Sequence, residues 1–349
     1  MKLPVEDLEN IRARTAPLWE EVRDKRLFVT GGTGFFGCWL MESFCHINRE
    51  LKLNARATVL TRNPERFARK APHVANDPAI ELLRGDVRDF EFPGGEFDYV
   101  VHAATDSTGA QVESTDFELF ETIVHGTRHT LDFAQATGAK KFLLLSSGAV
   151  YGVQPTDIER VEESYPGAPL PGSPNAVYGE GKRVAELLCR LHSQQGTLEC
   201  KIARCFAFVG PLLPLDAHFA IGNLIGNAIR SEAMRIRGDG TPLRSYLYMA
   251  DAMIWLWTIL FRAPSGQPLN VGSENAVNIR QLAESVANAL SLSAEVVVEQ
   301  VAKPGAEPAR YVPSTRAAQE TLGLREYTDL SESIRRTACW YRAAETVAC

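Results

Sequence analysis

Leu27-Phe28-Val29-Thr30-Gly31-Gly32-Thr33-Gly34-Phe35-Phe36-Gly37 is a short apolar run that breaks into glycines and resumes as the apolar face of a helix. It reads as a buried strand, a tight turn and a helix N-terminus, the arrangement that holds a pyrophosphate on backbone N–H groups. Gly31 is expected to permit the turn, Gly34 to admit a phosphate where a Cβ would obstruct it, and Gly37 to let the helix pack closely on its strand. Thr33, Phe35 and Phe36 join them as expected cofactor contacts. A second apolar run, Ala57-Thr58-Val59-Leu60, arrives where the second strand of a βαβ unit belongs. The stretch therefore predicts a dinucleotide-binding unit with a sheet built outward from it.

The later runs extend that sheet. Glu81-Leu82-Leu83-Arg84-Gly85-Asp86-Val87 reads as a third strand closing on Asp86, an acid placed to reach an adenine amino group, with Val87 beside it. Asp98-Tyr99-Val100-Val101-His102-Ala103-Ala104 reads as a fourth, whose small Ala103 and Ala104 allow close approach to a cofactor. His102 is expected to be a packed, hydrogen-bonded group, and Gly126-Thr127 to open a helix over 128–137. Lys141-Phe142-Leu143-Leu144-Leu145-Ser146-Ser147 is the fifth strand. Strands alternating with helices define an α/β fold, a Rossmann-type doubly wound parallel sheet. The C-terminal part mixes helical stretches (218–231, 250–262, 278–290, 330–343) with short strands at 234–236 and 296–298, as a smaller mixed α/β substrate domain would. The expected organisation is an N-terminal helical extension over 1–24 and a dinucleotide-binding domain over 25–205, to which about 245–273 returns. Residues 206–244 and 274–349 would form the substrate domain.

Composition narrows the function. At 349 residues, 45% hydrophobic and 23% charged, the chain resembles an ordinary globular protein, and no apolar stretch approaches the roughly 20 residues of a membrane span. A net charge of -6 without a basic cluster argues against nucleic acid or an anionic membrane as partner and points to a small ligand. Seven scattered cysteines without a CxxC pair suggest buried free thiols and no metal site. The charged opening, Met1-Lys2-Leu3-Pro4-Val5-Glu6-Asp7, is unlike a secretory leader, so a reducing, cytoplasmic location is expected.

Two positions address the chemistry. After the second strand, Thr61 stands where an acid would bond an adenosine ribose hydroxyl, and Arg62 follows, so a 2′-phosphate could be neutralised; this favours NADP(H), with NAD open. In Tyr178-Gly179-Glu180-Gly181-Lys182 a phenol and an ammonium four residues apart project from one helix face. A phenol of pKa about 10 is a poor base at neutral pH, and an adjacent cation favours its phenolate. Ser147, at the end of the neighbouring strand, can bond the same substrate oxygen. Ser147, Tyr178 and Lys182 together suit proton removal from a carbinol as hydride leaves its carbon, or the reverse.

With these motifs in order, the chain resembles an extended short-chain dehydrogenase/reductase of the nucleotide-sugar epimerase/dehydratase family from about residue 26 to 340. The matching stretches include residues 30–37, Gly85-Asp86-Val87, His102-Ala103-Ala104, Ser146-Ser147 through Val150-Tyr151-Gly152, Tyr178 with Lys182, and Arg244-Ser245-Tyr246-Leu247-Tyr248 with Asp251. The resemblance implies a nucleotide-linked sugar whose diphosphate is met by Arg244 and Arg310, with Thr105 and Ser147 also at the substrate. It also implies a homodimer through helices over 112–137 and 175–195. The departures matter. Sugar 4,6-dehydratases carry an Asp-Glu pair after the catalytic hydroxyl, and the related decarboxylases usually keep the Glu; this chain has Gly148 and Ala149. The first expectation is thus hydride transfer at C4 of a nucleotide-linked hexose, as a 4-epimerase or 4-ketoreductase. Behind it stands a dehydratase or decarboxylase drawing an acid from elsewhere, such as Asp106 or Glu180, and, in another class, a non-catalytic dinucleotide-sensing protein.

Overall fold

The computed structural model describes residues 2–105, 115–173, 176–217, 219–292 and 295–348; Asp106 lies outside them. Seven parallel strands form the central sheet: Arg26–Thr30, Arg56–Thr61, Ile80–Arg84, Tyr99–His102, Lys141–Ser147, Glu199–Cys205 and Pro268–Val271. In chain order their spatial sequence is seventh, sixth, fifth, fourth, first, second, third. The first strand pairs with both the second and the fourth, so the chain changes direction there. In an open α/β sheet that switch point is where ligands meet the carboxyl ends of the strands. Leu27, Phe28 and Val29 are fully buried, as strands covered on both faces require.

The N-terminal segment is two elements, the α-helix Val5–Thr15 and the 3-10 helix Ala16–Val22, because Pro17 lies in the first turn after Thr15 and cannot donate into a continuing α-helix. Trp19 is fully buried and meets Trp257 edge-on at 4.8 Å. The Asp7 carboxylate accepts from the Tyr248 hydroxyl at 2.5 Å and from Arg336 at 2.7 Å. The segment therefore packs over Met249–Arg262, the helix between it and the sheet, whose apolar residues are almost all buried for that reason.

Gly126 and Thr127 do not open a helix. They lie inside Asp116–Ala136, which starts at a capping box in which Thr115 and Glu118 satisfy each other's backbone N–H groups. Glycine is needed at 126 because a Cβ there would stand 2.8 Å from Val87. Ala176–Gln194 packs beside this helix, with Gly181 against Ile123.

The remaining elements form a second hydrophobic cluster in which Ile225, Leu282, Val286 and Ile334 are buried together. It includes helices Ala220–Ile229, Ile279–Ala289 and Leu330–Ala348 and the parallel pair Met234–Ile236 and Val296–Val298. A three-stranded sheet sets Leu243–Arg244 between Val277–Asn278 and Arg310–Tyr311, with Arg244 opposite Tyr311. The Pro-rich loop after Gly152 is tied to this last strand. Val312 N donates to the Gln154 side chain at 2.9 Å, Val161 N to Val312 O at 3.0 Å, and Ser314 N to Val161 O at 2.8 Å.

Candidate active site

The glycine turn is built by close backbone approach. Gly31 has φ +70°, and a Cβ on it would stand 2.5 Å from the Ala103 carbonyl; one on Gly37 would stand 2.2 Å from Gly31 O. Gly34 N donates to Gly31 O at 3.1 Å, and the helix Phe35–Glu50 begins directly after it. Lys70 reaches over to donate to Thr33 O at 3.0 Å.

His102 fixes the neighbouring strand end. The Thr127 hydroxyl spends its proton on Ile123 O at 2.6 Å, so it accepts from His102 Nε2 at 3.0 Å. His102 Nδ1 then accepts from the Thr30 hydroxyl at 2.8 Å, and Thr30 in turn accepts from Ala104 N at 3.3 Å. Complete burial pushes the imidazole down to about 3, so it stays neutral and acts as a spacer between strand and helix. This cradle of Gly31, Gly34, Gly37, Ala103 and Ala104, closed to side chains and facing a helix N-terminus, fits a dinucleotide pyrophosphate. A nicotinamide dinucleotide held there would supply hydride acceptance and return.

Around the expected adenosine end, Thr61 is buried and its hydroxyl accepts from Asn63 N at 3.3 Å. Asp86 is engaged by Arg88, accepting from its backbone N at 3.0 Å and from its guanidinium at 2.8 and 3.0 Å. Those bonds, with the nearby Arg62 charge, hold its carboxyl below the usual range, and an adenine amino group would share this acceptor with Arg88.

Ser147, Tyr178 and Lys182 are brought together. Lys182 is buried and donates to Leu145 O, two residues before Ser147, at 2.9 Å; its Nζ lies 5.9 Å from the Tyr178 ring centre. Burial lowers its pKa to about 8, opposed by the Cys205 thiol and Glu186. The helix carrying both residues sits tightly on the Gly148–Tyr151 turn because Gly179 has no side chain: a Cβ would stand 2.7 Å from Ala149 O.

Arg244 and Arg310, expected at the substrate, lie on the short three-stranded sheet. The Arg244 guanidinium is 5.9 Å from the centre of the Tyr311 ring. Register places Tyr311, rather than Arg310, opposite Arg244. Thr105 Oγ1, Ser245 Oγ and Arg310 Nε are buried without a hydrogen-bond partner among the described residues. Unmet buried polar atoms at three positions in or beside predicted substrate contacts are what a site awaiting a polar ligand presents.

Two residues escaped the sequence reading. Glu186 accepts from the Ser146 hydroxyl at 2.5 Å and from Arg204 through three bonds of 2.7 to 3.2 Å. Arg204 also donates to the Tyr151 hydroxyl at 2.8 Å, which donates to Asn270 at 2.7 Å. This buried network braces the strand end beneath Ser147. Its signal was present in the spacing, since Glu186 stands one helical turn beyond Lys182 on the same face. The second is Tyr311, whose hydroxyl bonds to Ser147, across a sequence separation that no local pattern spans.

Residues 27–272 match the NAD dependent epimerase/dehydratase family. A UDP-glucuronic acid decarboxylase 6 of Arabidopsis thaliana is 30% identical over 309 residues, covering 88% of this chain and 86% of the relative. A dTDP-glucose 4,6-dehydratase structure from Streptomyces venezuelae with NAD and TYD bound is 25% identical, with a TM-score of 0.75 over 92% of this chain and 98% of that one. A UDP-glucuronic acid 4-epimerase from Bacillus cereus shares the fold at a TM-score of 0.76 and 20% identity, over 91% of this chain and 99% of that one. The chain belongs to the NAD-dependent epimerase/dehydratase family and is a sugar-nucleotide enzyme of the extended short-chain dehydrogenase/reductase type. No described helix is long and apolar enough to cross a membrane.

Proposed function

We propose that the enzyme oxidises C4 of a nucleotide-linked uronic acid and releases its carboxylate as CO2. The observation that carries the reading is the assembly of Ser147, Tyr178 and Lys182 at the carboxyl end of the fifth strand, next to Gly148 and Ala149. Tyr178 takes the C4 hydroxyl proton, Ser147 bonds the same oxygen, and the buried Lys182 favours the phenolate. Arg244 and Arg310, with Thr105, hold the substrate, and the unmet Arg310 Nε suits a diphosphate oxygen.

The residues alone put C4 epimerisation or ketoreduction first and set decarboxylation behind, because no Glu stands at 149. Relatives named UDP-glucuronic acid decarboxylases, 26 to 30% identical over 88 to 91% of the chain, shift the weight. The chemistry allows it. A C4 ketone lies β to the C5 carboxylate, and a β-keto acid loses CO2 into its own carbonyl without a carboxylate pair to extract water. Ala149 keeps C4 epimerisation as the second reading. UDP-glucuronic acid with NAD is expected to yield a product lighter by CO2. An isomer of unchanged mass would move the assignment to epimerisation, and binding of nucleotide sugars without any conversion would sink both.

For the cofactor, the family is NAD-dependent, while Thr61 and Arg62 place no carboxylate against a 2′-phosphate. We infer that NADP(H) is accepted as well. Arg62→Ala should weaken NADPH by about 1.5–3 kcal/mol and NADH much less. Equal effects on the two, read by fluorescence titration, would remove Arg62 from the phosphate site.

Exposed Phe117, Leu187 and Leu191 on the adjacent helices Asp116–Ala136 and Ala176–Gln194 support a homodimer, which a monomeric mass in solution would exclude. The six described cysteines are free thiols, which suits a cytoplasmic location; a secreted, oxidised form of the protein would contradict it.

A further inference from the structure

One phenol beside the candidate site comes from a strand far along the chain. Tyr311 comes from the strand Arg310–Tyr311 and reaches the Gly148 turn, where its hydroxyl is 2.7 Å from the position a Cβ on Gly148 would take. A side chain at 148 would crowd the Tyr311 hydroxyl and, just as closely, the Phe206 ring. The hydroxyl bonds to Ser147, and the Tyr178 phenol is close enough to act on it electrostatically. Its ring packs at a tilt against Phe206, 4.7 Å between centres, and lies beside the Arg244 guanidinium. Its backbone is held on both sides, by pairing with Arg244 and by the bonds that tie Val312 to Gln154 and Val161. This is a rigidly placed phenol, not a loop side chain that happens to face inward.

Ser147 and Tyr178 meet the oxygen on C4. A hydroxyl one hydrogen bond beyond Ser147 adjoins the carbons that flank C4. Building on the decarboxylation reading, we propose that Tyr311 is a catalytic residue, the proton donor to C5 after the carboxylate has left. The step balances. The C5–carboxylate bond breaks, CO2 departs, and the electron pair forms the C4 enolate. That enolate takes the Tyr311 proton at C5, forming a C–H bond and a phenolate, which regains a proton from water. The C4 ketone that starts the step comes from the nicotinamide oxidation already assigned to the site. Burial among Phe206 and the turn pushes the Tyr311 phenol above its ordinary range, so the donor stays loaded at neutral pH, and an enolate carbon is basic enough to take its proton. No carboxylic acid at 148 or 149 is then needed.

The test uses the full-length enzyme with UDP-glucuronic acid and NAD in D2O, wild type against Tyr311→Phe, which keeps the packing against Phe206. Single-turnover absorbance of the reduced cofactor reports C4 oxidation, and NMR of the product reports deuterium at C5. Tyr311→Phe should oxidise C4 within about threefold of wild type, yet lose about 100-fold or more in turnover. It should place deuterium at C5 in both configurations where wild type places it in one. If oxidation and turnover fall together, Tyr311 only positions Ser147 and the assignment is overturned. An unchanged rate with deuterium in a single configuration overturns it as well. Wild-type enzyme that converts the substrate without releasing CO2 would sink the decarboxylation reading, and this step with it. Wild-type decarboxylation with an unaffected Tyr311→Phe sinks the Tyr311 assignment alone.

Discussion

Tyr178→Phe should lower kcat by about 10²–10⁴-fold while leaving dinucleotide affinity nearly unchanged, because in the proposed reaction the phenol removes a proton and the glycine cradle carries the binding. Neither His102 nor Ser147 can replace it. His102 is neutral, walled in by Thr30 and Thr127, and spends both ring nitrogens on them. Ser147 accepts from Ala149 N at 3.1 Å and lacks a carboxylate or imidazole to activate it among its described contacts. The pH profile follows from Lys182. Its ammonium is present below about 8 and lost as pH rises through that value, since burial lowers the pKa from the ordinary 10.5. Phenolate formation favours higher pH, so the wild-type rate should climb and then fall above about 8. Stopped-flow reduction of the cofactor would read both effects. A Tyr178→Phe enzyme turning over at the wild-type rate would remove Tyr178 from the chemistry.

Glu186→Ala is expected to be the most destabilising single change near the site, at about 3–5 kcal/mol, because it leaves the Arg204 guanidinium buried without its anion. Both side chains are largely withdrawn from solvent, 13% exposed for Arg204 and 9% for Glu186, so solvent screening does little to soften the loss. The Ser146 hydroxyl loses its acceptor in the same variant. The double replacement Glu186→Leu with Arg204→Met should recover much of the stability, since burying two charges costs desolvation that a matched apolar pair avoids. Urea denaturation of the three proteins would measure this. A Glu186→Ala loss below about 1 kcal/mol would place the pair with ordinary surface salt bridges.

The order in which the structure was legible follows the range of the forces involved. The strand, glycine turn and helix at 27–47 could be read directly, because their signals are local: Gly31 needs positive φ, and an unbroken apolar run marks a strand covered on both faces. Tyr178 and Lys182 could be paired on paper for the same reason, being one helical turn apart. Gly126 misled, since in sequence a Gly-Thr pair looks like a helix start, whereas its purpose is to let Val87 close on mid-helix backbone.

The strands at 27–30, 57–60, 81–87, 98–104 and 141–147 by themselves determined the parallel sheet, and residues 31–37 and 178–182 the candidate cofactor cradle and the candidate pairing of Tyr178 with Lys182, because each depends on side-chain period and backbone freedom within a few residues. Only the tertiary structure decided that Glu186 locks Arg204 beneath Ser147, and that Tyr311 and Phe206 fill the space left by Gly148. These contacts join side chains whose partner depends on how whole elements pack. The 162 positions between Gly148 and Tyr311 are bridged by strand pairing with Leu243–Arg244 and by the bonds to Gln154 and Val161, and no periodicity in the chain encodes that meeting.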